Sequence, residues 1–123
     1  MKTLRILVVE DDPMLGELLA EMLETMGHEI CGIENTEADA VTAAFGRKPD
    51  LMIIDAWLRD GSGVSAVDKI CDERFIPHFF VSGDISRIKA LRPGAVAVQK
   101  PFREADLVHA IQRALKGSNE LGE

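Results

Sequence analysis

Few features of this sequence point to an exported, disulfide-bonded or membrane-spanning protein. Its 123 residues include only two cysteines, Cys31 and Cys71, which show no metal-ligand spacing. This scarcity excludes a disulfide framework and favours the reducing cytoplasm as the compartment. No apolar run approaches the roughly 18–20 residues that a membrane-spanning helix needs. The first residues lead straight into a strand-like segment instead of a signal peptide.

Basic residues are also few. Fourteen lysines and arginines stand against twenty-one aspartates and glutamates, so that the net charge is −7. Because contacts to phosphates need a basic face, this balance argues against direct binding to nucleic acid or to an anionic membrane. The length and the 46% hydrophobic content are typical of a soluble globular protein. We therefore expect residues 1–123 to form one domain with no output domain, ending in a frayed polar tail at 118–123.

Short apolar runs alternate along the chain with segments of helical periodicity. The runs predict strands at Leu4–Val9, Ile30–Ile33, Leu51–Ile54, Phe79–Val81 and Ala95–Val98. The helical segments lie at about 13–27, 36–46, 64–71, 86–91 and 103–116. Strands that alternate with helices indicate parallel β-α-β units, in which right-handed crossovers put helices on both faces of one sheet. The predicted fold class is therefore α/β, doubly wound around a five-stranded parallel sheet.

The first two helices each carry an apolar stripe that should pack against the sheet. Pro13 is expected to begin the first helix and Gly27 to end it. Its stripe consists of Met14, Leu15, Leu18, Leu19, Met22, Leu23 and Met26. The second helix has Thr36 as its expected cap. Its apolar residues are Ala40, Val41, Ala44 and Phe45. Gly117 is expected to close the last helix.

Polar side chains follow four of the five predicted strands. Glu10, Asp11 and Asp12 follow the first strand, Asp55 the third, Ser82 the fourth and Lys100 the fifth. Ligands of open parallel sheets bind outside the carboxyl ends of the strands, so these groups should share one edge. Crowded carboxylates repel each other unless a cation lies between them. Hard oxygen ligands beside one lysine favour Mg²⁺ and a phosphorylated substrate.

Each of these residues also has a structural interpretation. Acidic residues between a strand and a helix are commonly helix caps, and an isolated Asp55 or Lys100 would be a solvated strand end. The coincidence of four strand ends favours a functional site instead. The histidines His28, His78 and His109 share no ligand spacing, and we interpret them as structural or solvated.

Four stretches of sequence include these strand ends: Ile6–Asp12, Ile53–Gly61, Phe80–Gly83 and Val98–Phe102. Together, in this order and spacing, they resemble the receiver domain of bacterial two-component response regulators. The resemblance covers essentially the whole chain and implies the flavodoxin-like receiver fold, with strand order 2-1-3-4-5. It also implies a sensor histidine kinase or phosphotransfer protein as phosphoryl donor, and a downstream protein partner or second relay protein. Homodimer formation stays open.

The resemblance implies a role for each residue of the site. Asp55 would be the phosphoacceptor, a carboxylate nucleophile that forms an acyl phosphate. Lys100 would pair with Asp55 and then with the phosphoryl group. The Ser82 hydroxyl would donate a hydrogen bond to a phosphoryl oxygen and be drawn inward. Pro101 is a candidate for a cis peptide bond that orients Lys100.

The resemblance also implies a Mg²⁺ site at the same edge. Asp11 would bind the metal directly, Glu10 would act through a water molecule, and Asp55 and the backbone carbonyl of Trp57 would complete the protein ligands. The metal would neutralise charge on the attacking carboxylate and on the phosphoryl oxygens. Asp12 is expected to act chiefly at the N-terminus of the following helix.

The sequence departs from the family pattern in two places. Ala97 stands three residues before Lys100, where many receivers carry an aromatic residue that moves on activation. The segment 86–91 allows a fourth helix of only about one and a half turns. Phe80–Gly83 is similar to the Phe-Ala-Thr-Gly motif of a subgroup of stand-alone receivers with a reduced fourth helix, with serine in place of threonine.

The sequence therefore predicts a single-domain response regulator that accepts a phosphoryl group and is not otherwise an enzyme. The alternative is a phosphorylation-independent protein-binding module, which Ala97 and the short fourth helix favour. A phosphatase is disfavoured because Trp57, two residues after Asp55, cannot transfer a proton. A flavin carrier is disfavoured because carboxylates, instead of a phosphate-binding loop, follow the first strand.

Overall fold

The computed structural model describes residues 2–121, in which strands and helices alternate regularly. The strands are β1 Arg5–Val9, β2 Glu29–Glu34, β3 Leu51–Asp55, β4 His78–Ser82 and β5 Ala97–Gln99. The helices are α1 Pro13–Thr25, α2 Glu37–Arg47, α3 Gly63–Glu73, α4 Ile85–Leu91 and α5 Glu104–Leu121. The strands form one parallel sheet in the order β2-β1-β3-β4-β5. The predicted doubly wound α/β fold and its strand order are confirmed.

Strand β3 lies at the centre of the sheet and is buried along its whole length. Asp55, its last residue, pairs with Val81 of β4, and Ser82 at the end of β4 pairs with Gln99 of β5. Because the strands are parallel and in this register, the residues that follow β1, β3, β4 and β5 emerge at one edge of the sheet.

Two apolar layers cover the sheet, one on each face. Alternate residues of a strand point to opposite faces. Leu7 and Val9 of β1 pack with residues of α2 and α3, and Ile88 of α4 belongs to the same layer. Ile6 and Val8 pack with residues of α1 and α5. Burial of one such side chain stabilises the folded state by about 1.5–3 kcal/mol. The two layers therefore stabilise the fold without a disulfide bond, and both cysteines are free thiols.

Helix α1 packs on the sheet through a different face from the one that the sequence predicted. Its buried residues are Gly16, Leu19, Ala20 and Leu23. Met14 is 83% exposed and Leu18 is 50% exposed, because at about 100° per residue both lie roughly 150–170° from the centre of the buried face. The prediction that the whole stripe is core was therefore wrong for these two residues. The pattern overlooked Gly16, where a Cβ would stand 3.2 Å from the Ile33 side chain.

Two other helices differ from the prediction in detail. Phe45 of α2 is 41% exposed, because at about 100° per residue it lies roughly 150° from the centre of the buried face. That face consists of Ala40, Ala43 and Ala44. Helix α5 does not end at Gly117 but continues to Leu121, since a glycine inside a helix costs only about 1 kcal/mol. Residues 122 and 123 of the predicted tail lie outside the described residues, and its fraying stays a prediction. Among residues 2–121, none of the helices combines the length and the apolar character that a membrane crossing requires.

Candidate functional site

The polar residues at the carboxyl edge of the sheet converge on Lys100. The Lys100 Nζ atom lies 3.0 Å from Glu10 Oε1 and 3.1 Å from Asp55 Oδ2. Glu10, Asp11 and Asp55 each offer a carboxylate oxygen, and these oxygens lie within 4.8 Å of one another. The structure therefore brings together the residues that follow β1 and β5 and the last residue of β3.

Glu10 and Asp55 are buried carboxylates, with 3% and 7% of their surfaces exposed. Burial raises the pKa of Glu10 above its ordinary value; hydrogen bonds from the Asp12 N–H and from Lys100 oppose the rise, whereas the charge of Asp55 adds to it. Burial alone would lower the pKa of Lys100, but its hydrogen bond to Glu10 and the charge of Asp55 raise it overall. The ammonium group thus holds together two carboxylates that would otherwise repel each other.

Backbone N–H groups orient all three carboxylates. Asp12 N donates to Glu10 Oε2 at 3.0 Å, Trp57 N to Asp55 Oδ1 at 3.2 Å and Arg59 N to Asp11 Oδ2 at 2.6 Å. The bond from Arg59 joins the loop after β3 to the loop after β1. The carboxylates are therefore held in place by the protein itself, which lowers the cost of ordering them around a ligand.

The donor set fits a divalent cation such as Mg²⁺. The carboxylates of Glu10, Asp11 and Asp55 present hard oxygens, the ligands that Mg²⁺ prefers. Three carboxylates beside one ammonium group leave a formal charge of −2, which one divalent cation neutralises. The backbone of Trp57 is held beside the Asp55 carboxylate, because its N–H donates to Asp55 Oδ1. The use of the Trp57 carbonyl as a fourth ligand stays a prediction.

Ser82, Pro101 and Asp12 lie at the same edge with other partners. Ser82 is buried, and its Oγ accepts from Asp84 N at 3.1 Å and donates to Asp84 O at 3.3 Å, so the hydroxyl is engaged with its own loop. The Lys100–Pro101 peptide bond is cis, as predicted. Asp12 caps α1 by accepting from the first N–H groups of the helix. Its role at the helix N-terminus is therefore confirmed.

An arginine of α4 covers the tryptophan of the site. The guanidinium carbon of Arg87 lies 3.9 Å from the ring centroid of Trp57, which is a cation–π contact. The indole N–H of Trp57 is buried and donates no hydrogen bond within residues 2–121. The sequence contained no signal for this pair, because the two residues belong to different elements and no periodicity links them.

Two further residues that were not predicted shape the loop between β3 and α3. A Cβ at Gly63 would overlap the carbonyl oxygen of Asp55, so the start of α3 passes directly against the end of β3. Glu37 of α2 accepts a hydrogen bond from the Ser62 N–H at 2.9 Å. A glycine in a sequence does not reveal such a close approach, and the Glu37 contact joins elements that are distant along the chain.

The histidines lie outside the site, as predicted. His28 is buried and its Nδ1 accepts from Leu4 N at 3.2 Å. His78 Nδ1 lies 2.8 Å from Ile76 O. Burial lowers the pKa of both rings below the ordinary value. His109 is exposed on α5. Two histidines are therefore structural and the third is solvated.

The fold and the edge of the sheet define a class of protein: a doubly wound α/β domain in which buried carboxylates surround a lysine at the carboxyl ends of the strands. A family model described as the response regulator receiver domain matches residues 6–112. The chain therefore belongs to the response regulator receiver family, as its resemblance implied.

Individual proteins are similar over nearly the whole chain. The transcriptional regulatory protein PdtaR of Mycobacterium tuberculosis is 34% identical over 121 residues, covering 95% of this chain and 59% of PdtaR. The phyllosphere-induced regulator PhyR of Methylorubrum extorquens is 32% identical over 114 residues, covering 89% of this chain and 43% of PhyR. The crystal structure of the response regulator PhyR from Brucella abortus has a TM-score of 0.88 at 30% identity, covering 98% of this chain and 51% of that one. This chain spans about half the length of these relatives.

Proposed function

We propose that Asp55 accepts a phosphoryl group from a phosphohistidine of a sensor histidine kinase or a phosphotransfer protein, in a reaction that depends on Mg²⁺. The observation that carries this proposal is the buried Asp55 paired with Lys100 at 3.1 Å, beside two further carboxylates. A lysine is a flexible point charge that can follow the negative charge when the carboxylate becomes an acyl phosphate. The chain would then be a phosphoacceptor, in line with a family whose members are typically not enzymes.

The transfer would be an in-line displacement at phosphorus. An oxygen of Asp55 forms the new P–O bond while the P–N bond to the donor histidine breaks, and the electron pair of that bond stays on the imidazole nitrogen. Lys100 then pairs with the phosphoryl oxygens. Glu10, Asp11, Asp55 and the Trp57 carbonyl would hold the metal, Glu10 through a water molecule. When bound, Mg²⁺ supplies charge neutralisation for the carboxylate and the phosphoryl group.

Ser82 is the residue that would couple the charge of the phosphoryl group to a movement of the surrounding fold. Its hydroxyl donates to Asp84 O and would turn to a phosphoryl oxygen, which is the stronger acceptor because it is charged. The phosphoryl group adds about −1.5 to −2 charges at this edge. We expect the loop that follows Ser82 to be drawn towards the site, together with the start of α4 at Ile85.

The surface that changes would be formed by α4, β5 and α5. A groove between β5 and α5 is lined by residues that include Val96, Val98, His109 and Arg113. A downstream protein partner, a second relay protein or a second copy of this chain would bind there. The names of PdtaR and PhyR describe regulators, which supports a signalling role. A cytoplasmic location stays a prediction from the low cysteine content.

A phosphorylation-independent protein-binding module is the second candidate. Ala97 favours it, because this residue lacks the aromatic ring that many receivers use for switching, and the seven residues of α4 favour it as well. Such a module would bind its partner with the same affinity in the presence and absence of a phosphoryl analogue. A phosphorylation-dependent switch would show a difference between the two affinities.

Intact-mass measurement after incubation with acetyl phosphate and Mg²⁺ tests the acceptor residue. We expect a gain of one phosphoryl group that disappears when a chelator is added and in the variant Asp55→Asn. Asp60→Asn is the matched control, because Asp60 is an exposed carboxylate of the same loop; this variant should gain the group normally. Phosphorylation of Asp55→Asn at the wild-type rate would refute the proposal.

A further inference from the structure

A single carboxylate of α2 connects that helix to the loop between β3 and α3. Glu37 Oε1 accepts from the N–H of Ser62 at 2.9 Å. Glu37 Oε2 accepts from Ser65 Oγ at 2.8 Å and pairs with Lys69 Nζ at 2.6 Å. The backbone N–H of Glu37 donates to the carbonyl of Asp60 at 3.1 Å. Two groups of α3 and two of the loop therefore converge on one residue.

The loop that Glu37 contacts begins at the candidate site. Trp57 and Ser62 form an antiparallel bridge that joins the two ends of the loop, and Trp57 N donates to Asp55. Gly61 adopts a φ of +89°, and a Cβ at this position would overlap the Glu37 side chain. The loop therefore lies directly against Glu37, and a shift of Ser62 would be transmitted to the backbone of Trp57.

The contacts of Glu37 keep it in its charged form. The hydrogen bond from Lys69, followed by those from the Ser62 N–H and the Ser65 hydroxyl, lowers the pKa of Glu37 to about 2. Its side chain is only 15% exposed. Hydrogen bonds to a charged acceptor are roughly twice as strong as neutral ones. The carboxylate is thus suited to fastening the loop, and its oxygens are already occupied by protein donors.

We propose that Glu37 is a positioning residue for the metal site: it fixes residues 57–62, and with them the Trp57 backbone carbonyl, so that Mg²⁺ binds more tightly. This inference rests on the proposed function, in which the Trp57 carbonyl is a metal ligand. Loss of a group that supports a metal ligand typically weakens metal affinity by about 10–100-fold. Because Glu37 acts on the backbone of one ligand among four, we expect about a tenfold effect.

Calorimetric titration with Mg²⁺ alone measures this affinity without any phosphoryl donor. Glu37→Ala should bind Mg²⁺ about tenfold more weakly than the wild type. Glu37→Gln should recover part of the loss, because its amide oxygen can still accept from the Ser62 N–H. Lys69→Met should keep the wild-type affinity, because it removes the ion pair and leaves the loop contacts. Asp39→Ala is the matched control, since Asp39 is an exposed carboxylate in the same first turn of α2.

Thermal unfolding of each variant, together with Trp57 emission during the titration, separates a change of affinity from a loss of folded protein. Should Glu37→Ala not fold, Glu37→Gln carries the test, with an expected loss of about threefold in affinity. If the Glu37 variants bound Mg²⁺ as tightly as the wild type, the role of Glu37 would be overturned and the proposed metal site would stand. The same holds if Lys69→Met lost as much Mg²⁺ affinity as the Glu37 variants. A wild type that binds no Mg²⁺ would overturn the proposed metal site and this inference with it.

Discussion

Replacing Lys100 with methionine would remove the cation that two buried carboxylates share. The ammonium nitrogen lies 3.0 Å from Glu10 and 3.1 Å from Asp55, and only 25% of the Lys100 side chain is exposed. Methionine fills most of the same volume with an uncharged chain, so the packing is largely kept. Glu10 and Asp55 would then face each other with no neutralising charge between them, and water has limited access to replace it.

The two ion pairs determine the size of the effect. At an effective dielectric constant of about 20, unit charges about 3 Å apart attract by about 5–6 kcal/mol. The desolvation of the ammonium group and the screening of its exposed part offset most of this attraction. Removing one partner of a buried pair typically costs about 3–5 kcal/mol. With Lys100 partly exposed, we expect the free energy of unfolding to fall by about 3 kcal/mol at neutral pH, and Tm by about 12 °C.

The loss of stability should depend on pH through Glu10. Burial already raises the pKa of Glu10 above its ordinary value of 4.5 in the wild type, while Lys100 opposes the rise. Without Lys100 the folded-state pKa is higher still, so the folded variant holds a proton that the unfolded chain has released. Its stability therefore falls as the pH rises from about 4.5 through the folded-state pKa. The deficit relative to the wild type should be small near pH 4 and complete once Glu10 is ionised.

Urea denaturation followed by Trp57 emission, at several pH values between about 4 and 7, measures this difference. Lys89→Met is the matched control, because Lys89 is an exposed cation on α4 and its loss should leave the midpoint nearly unchanged. Added Mg²⁺ should restore part of the stability of Lys100→Met by supplying positive charge to the same carboxylates. A deficit of the same size at both ends of the pH range, or no deficit at neutral pH, would refute the reasoning.

Two further predictions concern the stability of the fold, one beside the site and one at the start of β4, and can be checked by denaturation. Gly63→Ala should lower the free energy of unfolding by more than about 2 kcal/mol, because the added carbon overlaps the Asp55 carbonyl. Gly46→Ala is its control: nothing lies within 4 Å of the added carbon, and α2 should gain about 0.5–1 kcal/mol. Burial lowers the pKa of His78 below 6.5 in the folded protein. On acidification the unfolded chain therefore takes up a proton on His78 at a higher pH than the folded chain does, and the free energy of unfolding falls as the pH drops below about 6.5. His78→Phe should flatten this decline, and an unchanged slope would contradict the role of His78.

The residues of the edge could be predicted because each is marked by its position in the chain. An apolar run that ends in a carboxylate, a hydroxyl or a lysine identifies Asp55, Ser82 and Lys100 without knowledge of their partners. Parallel topology then brings the ends of separate strands together. The same logic predicted the doubly wound fold class, since the alternation of strands and helices leaves few ways to cover both faces of a sheet. The strand order, in contrast, came from the resemblance to the receiver family.

Contacts between elements that are distant in sequence could not be predicted. A helical stripe has a period, but the period does not tell which side of a wide stripe is buried, and Gly16 instead of Met14 packs against the sheet. Arg87 and Glu37 are charged residues on helices, where a solvated side chain is the ordinary expectation. Their contacts with Trp57 and Ser62 depend on how α4 and α2 lie against the loop after β3.

Arg87, stacked on Trp57, occupies the side of the acidic edge on which α4 lies. Helix α4 belongs to the layer on one face of the sheet, whereas α1 belongs to the layer on the other. The donor of the proposed phosphoryl transfer is a whole protein, so we expect it to approach from the side opposite this stack, over α1. The exposed side chain of Met14 in the first turn of α1 would face the donor on that side. The α4 part of the proposed partner surface would then stay clear of the donor, whereas α5, which shares a layer with α1, would lie beside it.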